Sequence, residues 1–294
     1  MSLACKIKLP STFRHNDILN FHRRDAQMLA ERVDDDVLYK GIIWNRRPAC
    51  LIIRFESQHA HVSLDVDDLH EDHDILAFER MACGMLGLSQ PIEVFENLFK
   101  DHVQLGRLIA ANPGLRIPLT ATPFEAVTWA ITGQQISIAV AISIRRRLIQ
   151  TVGVRHSSGL WCYPDAFHLA SASVADIRNA GFSKMKSNTL SILSRQVEAG
   201  SLLNPLENSL SHEEIRKRLL AINGIGTWTV DYALLRGFGY LDGSLHGDAA
   251  LRRNLKSLLA SRESVSASEA KNWLQEFSPW RSLVAAHLWA MSTP

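Results

Sequence analysis

The stretch from Leu220 to Leu235 limits the fold most sharply, because it reads as a helix, a tight hairpin and a second helix. Ser211 is placed to cap the first helix, with Glu214 three residues on as its capping-box partner. Ile215, Leu219 and Ile222 then form an apolar face at helical spacing. Gly224 and Gly226 occupy the turn, where the backbone needs either a positive φ or close approach to another group. Thr227 is expected to cap the second helix and Gly237 to end it. A glycine turn running into a helix start presents backbone N–H groups unobstructed by side chains, and this suits an anion such as a DNA phosphate. Asp248 follows Gly226 by 22 residues and directly precedes Ala-Ala-Leu-Arg-Arg-Asn-Leu, which reads as a new helix.

The 294 residues suffice for two or three packed subdomains. With 46% hydrophobic and 21% charged residues the composition is that of an ordinary soluble globular protein. A net charge of +2 does not by itself point to nucleic acid, so a DNA-binding surface must come from local clustering. Cys5, Cys50, Cys83 and Cys162 are widely spaced, which argues for a reducing compartment and against a disulfide framework or a zinc or iron–sulfur site. No signal peptide or membrane-length apolar run is evident, so a cytoplasmic setting is expected.

Residues 1–15 read as irregular, and Asp17 to Glu31 as a weak helix. Val37–Trp44, Ala49–Phe55 and Ala60–Leu64 are rich in β-formers and separated by turn residues, which predicts a three-strand antiparallel meander. Asp65 to Asp74 is an acidic connection. Its histidines, with His59 and His61, invite a metal reading, but His70 and His73 lack a defined ligand frame, and a solvated loop is the better expectation. Ile75 to Leu88 predicts a helix covering one face of the sheet. The remainder reads as helical, from Pro91–Ala111 through Thr122–Thr132, Ser137–Val152, shorter pieces between His168 and Ala199, and a last segment over Ser268–Trp289. The fold class expected is α+β. A small sheet domain spans residues 1–90, and a central helical domain with the hairpin spans 119–239. A second helical subdomain combines 91–118 with 240–294 and carries Asp248.

Several motifs then fall into one pattern. They are Phe124-Glu125, Ile131-Thr-Gly-Gln-Gln-Ile-Ser137, Ala180-Gly-Phe-Ser-Lys-Met-Lys186, Ile222-Asn-Gly-Ile-Gly-Thr-Trp-Thr229, Gly247-Asp248, Pro279-Trp-Arg-Ser282 and His287-Leu-Trp289. Over nearly its whole length the chain resembles the helix-hairpin-helix DNA glycosylases, and within them the alkylation-repair branch, 3-methyladenine DNA glycosylase II. The resemblance implies hydrolysis of the N-glycosidic bond of alkylated purines in double-stranded DNA by a monomer, with no membrane partner. The substrate would be 3-methyladenine, with 7-methylguanine and hypoxanthine as further candidates.

The chemistry suits the residues. Breaking the bond builds positive charge on the sugar, and one carboxylate near C1′ stabilises it or orients water when the leaving base is already activated. Asp248 matches the family acid, although Asp is also a favoured helix cap. Asp231 and Asp242 are nearby but do not match the position. Trp228, Tyr232 and Trp289 are the candidate pocket aromatics, with Trp228 and Tyr232 sharing a helix face. Their electron-rich rings suit a cationic alkylpurine. Gln134 and Gln135 sit where the family places its intercalating wedge, with Gln135 in the wedge position and Gln134 assigned to the substrate pocket; the best-known relatives carry Leu at the wedge. Bifunctional members keep a Schiff-base lysine where this chain has Trp228, so no lyase activity is expected.

Gly224, Gly226, Thr227 and Arg252 are expected to hold the DNA backbone, together with Arg253, Lys256, Lys184 and Lys186. The run Arg145-Arg146-Arg147 reads more readily as a solvated face. No cofactor is expected beyond a sodium or potassium ion, which the resemblance would place at the backbone carbonyls of Leu220, Ile222 and Ile225. A damage sensor that binds alkylated DNA without cutting it is the alternative, and Asp248 disfavours it.

Overall fold

A computed structural model describes residues 2–68, 74–200, 202 and 210–291. It opens with β1 (Ser2–Lys8), α1 (His15–His22), β2 (Glu31–Asp34), β3 (Val37–Trp44), β4 (Arg47–Glu56) and β5 (His59–Val66). Helices α2 (Ile75–Met85), α3 (Ile92–Phe99), α4 (Leu105–Ala111), α5 (Pro123–Gly133) and α6 (Ile138–Val152) follow. Next come α7 (Ala166–Ser171), α8 (Val174–Asn179), α9 (Lys184–Glu198), α10 (His212–Leu220) and α11 (Thr227–Phe238). The chain closes with α12 (Ala249–Leu258), α13 (Ala267–Gln275) and α14 (Arg281–Ala290). The class is α+β.

The sheet has five antiparallel strands in the order β1-β5-β4-β3-β2, so the three-strand meander gains a strand on each edge. In β1, Leu3, Cys5 and Ile7 face inward while Lys6 and Lys8 face out. That alternation is weak in β-formers, and this strand was expected to be irregular. The four-residue β2 takes Glu31 out of the expected helix, which ends at His22. Helix α2 lays Phe78, Ala82 and Met85 on the inner face. The expected 91–111 helix is two helices, and Gly106 packs directly against the Lys100 carbonyl between them. The expected C-terminal helix also breaks, between Gln275 and Arg281.

Among the described residues there are three large apolar cores and a small fourth cluster of Ala30, Ile149 and Tyr163. One lies between the sheet, α1 and α2. A second joins α5, α6 and α9 to α10 and α11. A third gathers α3, α4 and α12–α14 around Leu235. Helices α5 and α11 pack closely because Gly237 lies against Pro123 and Ala126, where an added Cβ would sit 3.0 Å from each. Gly237 therefore serves packing within α11. The helix is ended by Gly239 at φ +68, a conformation that costs glycine little.

The arginine run is a joint, contrary to the solvated reading. Lys40 of β3 and Arg145 of α6 both bind Oε1 of Glu125, at 2.7 and 3.0 Å, and both also bind Glu31. Burial pushes the Glu31 carboxyl up, but Arg145 and Lys40 outweigh it and hold the group well below the usual carboxylate range. Arg146 pairs with Asp25 at 2.7 Å, and Arg147 donates to the Ala180 carbonyl at 2.8 Å. Buried charges tolerate this only when fully paired.

Two outcomes follow. Gly237→Leu forces α5 and α11 apart and lowers stability by about 1–3 kcal/mol, measured by urea unfolding. His287, fully buried and stacked on Phe95, has its pKa lowered by burial to about 4. A neutral histidine in the fold that protonates on unfolding stabilises above pH 6.5, and that stability is lost as the pH falls from 6.5 toward 4. Urea midpoints across that range will fall less steeply for His287→Leu than for the parent.

Candidate active site

Helix α11 begins at Gly226, the capping position, so Thr227 is its first residue and no side chain caps the end. Trp228 and Tyr232 then share one face, with ring centroids 5.4 Å apart and planes at 29°. Trp289 of α14 approaches Tyr232 at 6.3 Å. Asp248 caps α12, and its Oδ1 accepts from the Leu251 N–H at 2.8 Å. The same oxygen accepts from Trp289 Nε1 at 3.1 Å, while Oδ2 accepts from Trp228 Nε1 at 3.3 Å. The cap role and the pocket role therefore coincide in one carboxylate. The competing acids are engaged elsewhere, Asp231 with Arg216 and Asp242 with Arg281 and Ser278.

These residues line a cleft of about 640 Å³. Trp129 of α5 is part of it and donates from Nε1 to the Tyr232 hydroxyl at 3.1 Å. Arg24 and Arg236 also line it, and no spacing rule singled them out; Arg253, expected on the DNA backbone, lines it as well. Arg252 points away, with Nη1 toward the Val265 carbonyl at 3.5 Å; its neighbour Arg253 faces the cleft.

A groove of about 940 Å³ shares Trp228 and Asp248 with the cleft. The starts of α6, α9, α11 and α12, at Ser137, Ser183, Gly226 and Asp248, all line it. Ser137, Ser183 and Asp248 cap their own helices, whereas the first-turn amides of α11 lack a side-chain acceptor. The positive ends of four helices therefore meet over one groove, which suits a phosphate backbone.

The hairpin turn is clamped from two sides. Gly224 sits at φ +92, and a Cβ there would overlap Thr189 Oγ1. That hydroxyl donates to the Asn223 carbonyl at 2.8 Å. Gly226 is not left-handed, at φ −101, and no heavy atom lies within 4 Å of where its Cβ would stand, so a ligand backbone has room to approach. The capping box of α10 is half formed, since Ser211 accepts from the Glu214 N–H while the Glu214 carboxylate binds Arg218. No backbone N–H among the described residues donates to the Leu220 or Ile225 carbonyls, and Ile222 accepts only from Ile225.

Gln134 and Gln135 diverge. Gln134 Nε2 donates to the Gly224 carbonyl and to Thr229 Oγ1, both at 2.9 Å, so its side chain braces the hairpin and does not enter the cleft. Gln135 stands exposed in the groove at φ +56. Lys186 is turned inward. Its ammonium donates to the carbonyls of Thr132 and Gln134 at 2.9 and 2.8 Å, and burial lowers its pKa. His70 and His73 lie outside the described residues, and His61 pairs with Glu56.

With this geometry in view, comparison with known proteins is direct. Residues 128–279 match the model of the HhH-GPD superfamily base excision DNA repair proteins. The chain belongs to that family. DNA-3-methyladenine glycosylase 2 of Escherichia coli is 30% identical over 63% of this chain, and the match takes in 63% of that protein's own length. DNA-3-methyladenine glycosylase of Bacillus subtilis is 25% identical over 96% of the chain and 95% of its own. The solved 3-methyladenine DNA-glycosylase of Archaeoglobus fulgidus shares the fold, with a TM-score of 0.82, 22% identity and 97% of both chains covered.

Because Gln134 ties the turn between α5 and α6 to the hairpin, Gln134→Ala removes two hydrogen bonds worth about 1 kcal/mol each. The expected result is a lower urea midpoint and weaker duplex DNA binding in a mobility-shift titration, while Gln135→Ala leaves the midpoint unchanged.

Proposed function

We propose that this family member is a monofunctional DNA glycosylase that removes alkylated purines from double-stranded DNA. The observation that carries the reading is one carboxylate, Asp248, held by two indole N–H groups inside an aromatic cleft that opens on a groove of helix starts. The glycosylase relatives, one of them matched over almost its full length, support it.

The base must leave the stack for its sugar to come within reach of Asp248, at a cost of about a few kcal/mol. Gln135 is the side chain offered to the resulting gap, where its amide can hydrogen-bond the orphaned partner base. The aromatic rings sandwich the extruded purine. The C1′–N bond then breaks with its electron pair going to the base, so a cationic alkylpurine departs neutral. Asp248 stabilises the positive sugar, and water adds at C1′ and loses a proton, leaving an abasic site. The two indoles and the Leu251 N–H fix the orientation of the carboxylate before DNA arrives.

Strand cleavage by the enzyme itself would need a free amine at C1′. Trp228 offers none, and Lys186, the lysine lining the groove, is committed to two carbonyls. The groove holds the strand through the uncapped amides of α11. The carbonyls of Leu220, Ile222 and Ile225 form the place where a sodium or potassium ion would join hairpin and phosphate, and two of the three have no backbone donor among the described residues.

Incubating the protein with methylated duplex DNA tests this by the bases released. Asp248→Asn should keep the α12 cap, since Asn is an equally good cap, yet lose at least a hundredfold in single-turnover rate. Equal release by Asp248→Asn overturns the role given to the acid. The strand should stay intact until alkali is added, and direct nicking overturns the monofunctional reading. Tight binding of methylated duplex with no base release would favour the damage sensor.

A further inference from the structure

The outer face of the sheet, away from α1 and α2, takes no part in the chemistry proposed for Asp248. Strand register lines up its residues in rows. Ala4, Ser63, Ile52, Tyr39 and Arg32 form one row across all five strands. Lys6, His61 and Arg54 stand together in the next row, two residues along. On the other side of the first row, the segment 155–161 lies over the sheet. Gly41 of β3 makes room for it, since the Trp161 carbonyl occupies the place a side chain would take. The amides of Trp161 and Tyr163 donate to the Leu29 and Gly41 carbonyls at 3.2 Å, and buried His156 lies 3.2 Å from Asp67. Two hollows of about 490 and 510 Å³ result, and they share Tyr39 and Ile52. Together they make one trough, with Lys6 and Arg54 on one rim and Arg155 on the other. A step of two residues is about 7 Å along a strand, so the rims stand about 14 Å apart. All three cations are exposed, and none has a carboxylate partner among the described residues. The acids of this face are engaged, Asp34 with Arg32 and Glu56 with His61, and Asp65 lies 3.8 Å from His156. Like charges gathered in one row weaken a sheet. A lysine on the edge strand β1 guards against pairing with another chain, but Arg54 lies on β4, between two strands, and has no such use. Two guanidiniums also lie over rings, Arg32 at 4.3 Å from the Tyr39 centroid and Arg155 at 4.6 Å from that of Trp161. A guanidinium laid on a ring turns its other face outward, as a platform on which a base can stack.

We propose that this trough binds single-stranded nucleic acid, at a site separate from the groove of helix starts. Lys6, Arg54 and Arg155 meet the phosphates, and bases stack on Arg32 and Arg155. A trough of that width admits one strand, whereas a duplex, whose major groove alone is about 12 Å wide, rides on the rims. An acidic peptide would answer the charge but leave the two platforms unused. The groove opens at the start of α6 and the trough lies beyond its end. The 15 residues of that helix put about 22 Å between them. Both sites can therefore be filled at once. A molecule seated on an unpaired stretch is then held close to the neighbouring duplex, at a raised effective concentration. This binding does not depend on the chemistry of Asp248.

Fluorescence anisotropy of a labelled oligothymidylate of about 15 nucleotides, titrated with the full chain, tests this. The logarithm of the wild-type binding constant should fall against the logarithm of salt concentration with a slope of about −2, for three phosphate contacts. The double variant Lys6→Glu, Arg54→Glu should bind the strand at least tenfold more weakly. Its affinity for a blunt undamaged duplex, its base release from methylated duplex and its urea midpoint should match wild type. Arg155→Lys keeps the charge and loses the platform, and should weaken binding at least threefold at the same salt slope. An excess of blunt duplex should leave the oligothymidylate bound. No binding by wild type, or equal binding by the double variant, overturns the proposal. Full displacement by blunt duplex would put the strand in the groove and overturn it as well. Displacement by polyglutamate as readily as by unlabelled oligothymidylate would make the trough a dock for an acidic protein, which also overturns it. Strand binding as expected with no base release from methylated duplex counts against the glycosylase reading alone.

Discussion

The Asp248 carboxylate is the point at which three helices are tied. It caps α12, takes an indole N–H from α11 and takes another from α14. Hydrogen bonds to an ionised acceptor are each worth more than neutral ones, about 1.5–3 kcal/mol. Moving any one of the three helices would leave an indole N–H or the carboxylate without its partner. The aromatic cleft therefore inherits its shape from the acid as much as the acid inherits its position from the cleft. Tyr232 is fixed in turn by Trp129, which brings α5 into the same arrangement.

Around that knot the molecule separates two tasks. The groove that suits a strand is built from helix ends, which offer backbone dipoles, while Lys186 in its lining is drawn inward. The sheet is fastened to the helices by Lys40, Glu31, Glu125 and Arg145, all but lost to solvent. Arg24 and Asp25, in the segment between α1 and β2, show how near this joint comes to the site. Asp25 belongs to the joint through Arg146, and Arg24 faces the cleft. The sheet layer thus supplies a wall of the pocket as well as support.

Much of this could be read from the residues, and the misses have physical causes. The caps at Thr122, Ser137, Ser183 and Asp248 are local signals, so those helix starts were readable. Asp248, Trp228, Tyr232 and Trp289 were singled out from motifs, and the structure brings all four to one cleft. The edge strands β1 and β2 were missed because an edge strand needs only one apolar face and one neighbour, and its pattern is faint. Gln134 was placed with the substrate because the turn was right, but which way a side chain points from a turn is decided by the hairpin 90 residues later. The triple arginine failed for the same reason. Its acids lie on β2, on α5 and before β2, and only tertiary structure shows that the charges are matched.

The double use of Asp248 has an evolutionary side. As the acid of the proposed reaction and a helix cap at once, Asp248 is protected against most replacements, since they would loosen α12 along with the chemistry. Asparagine is the exception. It caps as well as aspartate, accepts an indole N–H through its carbonyl, and carries no charge to offer a sugar cation. The groove, the cleft and the fold would survive that exchange. A lesion-cutting protein of this design therefore stands a single amino-acid change from one that only finds and holds damage, and descendants of either kind would be hard to tell apart by any feature except the residue at this one position.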